Sequence, residues 1–246
     1  MPSLTIAALP PVIFLIGGLG AGKTELACNL ARQQAELHGP GRVHLLDVDI
    51  VNPYYRVRKL EKTLTAAGVT VVIPGERTRD SDIPALPVGI WGALERDDVR
   101  VVVDVGGDVV GLRPLARLRE LANRRQAAVY FVANPLRPGT RTVDEMTNLY
   151  KVLSEYCTLE PTAVVANPHL QDETTPEVLA HGLAAVEAFA ARVQRPLAFV
   201  AVDETLAPRV CQGAISDTRQ VLAIHRYWRT AWTIGNEEAT TSCPNG

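Results

Sequence analysis

The chain has 246 residues, 47% of them hydrophobic and 21% charged, with a formal net charge of −2. That size and balance fit one large globular α/β domain, and the near-neutral charge offers no general field for nucleic acid, so a nucleic-acid-coating role gets no support. No run of 18 or more apolar residues occurs that could span a bilayer, and the four cysteines (Cys28, Cys157, Cys211 and Cys243) form no CxxC pair. Reduced thiols in a cytoplasmic protein are therefore expected.

Taken in chain order, short β-branched runs alternate with helical patterns, as in βα units building a mostly parallel sheet with helices on both faces. The apolar start lacks a basic stretch and runs directly into a glycine loop, so it reads as a strand rather than a leader peptide. About seven strands are predicted, at Val12–Ile16, Val43–Asp47, Val69–Ile73, Arg100–Asp104, Ala128–Ala133, Thr162–Ala166 and Leu197–Val202. Most are continuous apolar runs, as strands buried on both faces require. Helices are predicted at 22–37, 54–66, 109–124, 142–157, 176–192 and 217–232, with Asn52-Pro53 as cap and first turn of the second. The proline-rich, charged stretch from Pro74 to Pro87 reads as either disordered surface or a functional flap. Residues 1–234 are expected to form one domain, followed by a frayed polar tail at 235–246.

The strongest signal is GGLGAGKT, comprising Gly17, Gly18, Leu19, Gly20, Ala21, Gly22, Lys23 and Thr24. It matches G-x-x-x-x-G-K-[ST] in full, after an apolar strand and before a helix, the context in which backbone N–H groups and a helix N-terminus cradle phosphates. Lys23 is placed to reach the β/γ phosphates and Thr24 to offer its hydroxyl to Mg²⁺. VVVDVGGD at Val101–Asp108 ends a buried strand with Asp104, the candidate magnesium carboxylate, and Gly107 follows where a backbone could approach the γ-phosphate. In LLDVDIVNP, Asp47 and Asp49 share one side of the chain as it leaves the sheet, and Asp49 is the candidate for orienting the attacking water.

Together these three segments resemble the MinD/ParA-like branch of P-loop ATPases, which includes carbon monoxide dehydrogenase maturation ATPases and dethiobiotin synthetase, over about residues 10–205. The resemblance implies a three-layer P-loop NTPase fold, a catalytic role for Lys23 and Asp49, a magnesium role for Asp104, and ATP at a possible homodimer interface. Gly18 stands where many members carry a signature lysine, and Arg56, Arg58 and Lys59 are candidate replacements. By the same resemblance Asn167, in TAVVANPHL, and Asp203 contact the base. Leu170 replaces the aspartate that reads guanine in N-K-x-D, which favours ATP over GTP.

The expectation is thus a magnesium-dependent ATPase switching a partner protein. A small-molecule kinase or ligase holding its substrate near Arg137 and Arg141, and a nucleotide-binding regulatory module without turnover, are the rivals. The client or substrate is not specified by any motif. QVLAIHRYWRTAW at Gln220–Trp232 reads as a helix packed on the sheet, with a membrane-surface helix as the alternative.

Overall fold

The computed structural model describes residues 3–49, 57–73, 86–211 and 219–228. Its elements in order are β1 (Val12–Ile16), α1 (Lys23–His38), β2 (Val43–Asp47), α2 (Val57–Ala66), β3 (Val69–Val72), α3 (Val88–Glu95), β4 (Arg100–Asp104) and α4 (Val109–Leu112). There follow α5 (Leu115–Arg124), β5 (Ala128–Ala133), α6 (Val143–Tyr156), β6 (Ala163–Ala166), α7 (Pro176–Arg192), β7 (Leu197–Asp203), α8 (Ala207–Cys211) and β8 (Val221–Ile224). The eight strands form one sheet in the order β3-β2-β4-β1-β5-β6-β7-β8, and every pairing is parallel.

Parallel strands need both faces covered, and the side chains alternate accordingly. On β1 every residue is buried: Val12, Phe14 and Ile16 enter the core under α3 and α5–α7, while Ile13 and Leu15 enter the core under α1 and α2. Helix starts follow their sequence signals. Thr142 and Glu145 form a reciprocal capping box on α6, and Thr175 caps α7 ahead of Pro176. Arg125, buried at the end of α5, donates to the carbonyls of Leu94, Arg96 and Val99 and so ties that helix to the connection entering β4.

Two expected elements differ from the sequence reading and two helices are additional to it. The sheet has eight strands rather than about seven, because Val221–Ile224, within the helix expected at 217–232, form the strand β8; residues 217–218 and those beyond 228 lie outside the described region. Pairing with β7 overrides the helical spacing of Val221 and Leu222, and α1 holds the strand from the side. Gln33 Nε2 donates to the Ala223 carbonyl (2.8 Å), and Asn29 exchanges hydrogen bonds with both backbone groups of His225 (2.8 Å each). The single helix expected at 109–124 is broken into α4 and α5, since Pro114 has no N–H with which to continue the first. Helices α3 and α8 were not foreseen. Asn52-Pro53, most of the Pro74–Pro87 stretch and the tail from 235 lie outside the described residues.

Where β5, α6 and α7 meet, the rings of Phe131, Tyr150 and Phe189 pack edge-on or tilted, with centroids 5.2–5.8 Å apart. Phe131→Ala is expected to cost about 3–5 kcal/mol of unfolding free energy in urea denaturation, from lost burial and a residual cavity. A loss below about 1 kcal/mol would mean that this cluster does not hold the half-sheet together.

Candidate functional site

The order of the sheet decides which loops meet. β1 lies between β4 and β5, so the chain leaves β1 at the point where the connections turn to opposite sides, the place where open parallel sheets bind ligands. Gly17–Gly22 fills that crevice and α1 begins at Lys23. Gly22 has φ +91°, and a Cβ there would fall 2.2 Å from Asn167 Nδ2, so only glycine fits. Asn167 in turn donates to the Ala21 carbonyl (2.7 Å), buttressing the loop from the end of β6.

Lys23 is buried, its Nζ donating to the carbonyls of Gly17 and Gly18 (3.0 Å each). A Cβ on Gly107 would lie 2.9 Å from both this Nζ and the Leu19 amide nitrogen, so the segment after β4 rests directly on the loop. Asp47 and Asp104 are register partners on β2 and β4, 8% and 3% exposed. Asp49 N–H donates to Asp47 Oδ1 (3.0 Å), and the Asp49 carboxylate faces the Gly106 backbone. These three carboxylates, with Leu19, Gly20, Gly22, Lys23, Thr24 and Gly107, line a cavity of about 310 Å³. Burial, then the charge of Asp104, then that of Asp49 push Asp47 far above the usual carboxylate range, against the Asp49 N–H. Asp108 accepts from Gly111 N (2.7 Å) and caps α4.

Gly20, Gly22 and Thr24 also border a second cavity, of about 460 Å³, on the opposite side of the loop. Asn167 lines it. Asp203 does not: Thr205 and Arg226 (2.7 Å) take its oxygens, and these partners hold it below its ordinary pKa although burial works the other way. Leu170 also stays outside the lining, as does the exposed Arg141, whereas Arg137 is part of it. Arg58 and Lys59 are exposed on α2, and Arg56 lies outside the described residues. The sequence reading missed Glu25, His169, Arg226 and Trp228. His169 sat inside a stretch already singled out, and Glu25 directly follows the loop motif. Arg226 and Trp228 were hidden by the helix assignment.

The arrangement can be compared with known proteins. No known family model and no curated protein matches the chain. Solved structures do. FtsY, a cell division protein of Thermotoga maritima, superposes with a TM-score of 0.53 at 18% identity, over 80% of this chain and 63% of that one. The signal recognition particle receptor FtsY of Elizabethkingia anophelis gives 0.50 at 21% (79% and 58%), and chloroplast FtsY of Physcomitrella patens 0.53 at 16% (78% and 58%). The chain has the P-loop NTPase fold. It spans less than two thirds of the length of each of these structures. Among the described residues, no helix is long and apolar enough to cross a membrane.

Glu25 ties the larger cavity to the segment after β8: its carboxylate accepts from the Tyr227 amide, and burial raises its pKa to about 7 against the Tyr227 and Trp228 amides and the charges of His225 and Arg226. A carboxyl raised in the native state contributes stability that is full below its unfolded pKa and lost as pH rises through the folded value. The wild type should therefore lose stability relative to Glu25→Gln between about pH 4.5 and 7. Thermal unfolding of both across that range checks this; parallel profiles would show that Glu25 titrates normally.

Proposed function

We propose that this chain is a magnesium-dependent ATPase of the MinD/ParA-like branch that acts as a conformational switch for a partner protein. The observation that carries the reading is the convergence in one cavity of Lys23 and Thr24 with Asp47, Asp49 and Asp104. The donor set fits Mg²⁺, a hard cation that prefers oxygen and keeps waters and phosphate oxygens in its shell. Among the described residues, no three carboxylate, imidazole or thiolate groups close around a metal by themselves. Thr24 and Asp104 would therefore hold the ion together with the nucleotide, and the ion would supply charge neutralisation at the phosphates. Lys23 supplies the fixed positive charge. Asp49, half-buried beside the Gly106 backbone, would orient the attacking water.

ATP as the nucleotide rests on Leu170, which offers no carboxylate to guanine's donors. Residue 18 is a glycine and offers no lysine to a second copy, which speaks against a lysine-bridged homodimer. The description of the Elizabethkingia match as a receptor is in keeping with a protein client. The resting of Gly107 on the loop supports a segment that moves when the γ-phosphate leaves.

Purified protein should hydrolyse ATP steadily with Mg²⁺ and no added substrate. Lys23→Ala should abolish turnover, and Asp49→Ala should lower kcat about 100-fold or more while nucleotide still binds. Tight Mg·ATP binding by the wild type with no turnover would overturn the ATPase reading and leave a regulatory module. Competition with GTP should be at least about tenfold weaker than with ATP; equal competition would remove the base assignment. Light scattering with and without nucleotide should show a monomer throughout.

A further inference from the structure

The segment that leaves β4 passes through a point where three parts of the chain converge. A Cβ on Gly106 would fall 2.7 Å from the Cα of Gly111 and 3.2 Å from Asp49 Oδ1, so two bare backbones and the candidate water-orienting carboxylate share one small space. The contact is reciprocal, since a Cβ on Gly111 would lie 2.6 Å from the Gly106 Cα and 2.9 Å from its carbonyl carbon. These neighbours are backbone atoms, and an added methyl can be accommodated only if the chain itself shifts. One residue further on, Gly107 lies against the Leu19 backbone and Lys23 Nζ. The chain from Gly106 to Gly111 is thus a closed loop, with the phosphate cavity at one end and α4 at the other.

α4 is the fixed end. Val109 and Leu112 pack into the core under α3 and α5–α7, Gly111 is itself buried, and the helix lies against α6. Asp108 ties the turn shut by accepting from the Gly111 N–H (2.7 Å). Gly111 stands inside a helix, where alanine is the better helix former, and its φ is not among the positive ones. What demands a glycine at 111 is therefore the approach of Gly106 rather than the local backbone.

We infer that Gly111 is a positioning residue for nucleotide hydrolysis: its bare backbone, held by the core and by Asp108, sets the place of Gly106 and hence of Asp49 and Gly107 around the phosphates. The inference rests on the hydrolytic reading above and adds to it a residue that touches neither nucleotide nor metal. A methyl at 111 displaces Gly106 and with it the carboxylate that would align the attacking water. The loop Gly17–Gly22, with Lys23 and Thr24, is built on β1 and α1 and keeps its hold on the phosphates. Hydrolysis is thereby separated from binding.

Steady-state ATP hydrolysis, equilibrium binding of a non-hydrolysable ATP analogue with Mg²⁺ and the melting temperature should be measured for the wild type, Gly111→Ala, Asp108→Ala, Asp108→Asn and Val110→Ala. Gly111→Ala should lower kcat about tenfold or more, with analogue affinity within about twofold of the wild type. Asp108→Ala, which releases the turn without adding an atom, should show a smaller loss of kcat at unchanged affinity. Asp108→Asn keeps an oxygen for the Gly111 N–H and should restore the rate. Val110→Ala, on the exposed side of the same helix, should behave as the wild type. The inference is overturned if Gly111→Ala turns over like the wild type, or if its kcat and affinity fall together, since the residue would then serve the fold alone. Should Gly111→Ala fail to fold, the Asp108 pair decides: a wild-type rate in Asp108→Ala, or an equal loss in both variants, overturns the inference. A wild type that binds Mg·ATP without turnover removes the hydrolytic reading and this inference with it; steady hydrolysis that is indifferent to both positions removes the inference alone.

Discussion

Two carboxylates at the same level of neighbouring parallel strands set the terms for everything around them. Asp47 and Asp104 are opposite one another in the β2–β4 register, both buried, at the end of the sheet where the chain leaves β1. Neither strand can slip to relieve the pair, because a shift of one residue would swap the side chains packed into the two helix-covered cores along its whole length. The acids are thus held together by the burial of the sheet. On the proposed reading the ion and phosphates that join them remove a conflict the fold itself creates, so ligand binding and stability are coupled.

The helix that follows the loop links the two halves of the site. α1 offers Lys23 and Thr24 to the acidic cavity at its first turn, and with Glu25, Asn29 and Gln33 it holds the last strand and the segment to Trp228. The wall of the larger cavity is therefore assembled from residues separated by most of the chain. Gly107 rests on the loop while Gly106 faces Asp49. A change at the phosphates would be felt on both sides of that segment without any long relay.

Much of the sheet was legible because parallel strands buried on both faces appear as unbroken apolar runs; Val12–Ile16, Val43–Asp47, Arg100–Asp104 and Ala128–Ala133 have the bounds expected of them. β8 was not legible. Its four residues belong to a stretch whose apolar positions also match a helix, and only the free edge of β7 and the side chains of α1 select the extended form. That error concealed Arg226 and Trp228, and with them one part of the wall of the larger cavity.

The sequence by itself determined the phosphate loop and its lysine, the strand ends that carry Asp47 and Asp104, and the α/β class, because each depends on local backbone geometry or on a periodicity within one element. Only the tertiary structure decided which of the remaining polar residues share a cavity. Asp203 is taken up by Thr205 and Arg226, whereas His169 and Arg137 line the larger cavity beside Asn167. Which polar groups are taken up by their own protein and which reach a cavity depends on distances between elements far apart in the chain, and no spacing along the sequence encodes them.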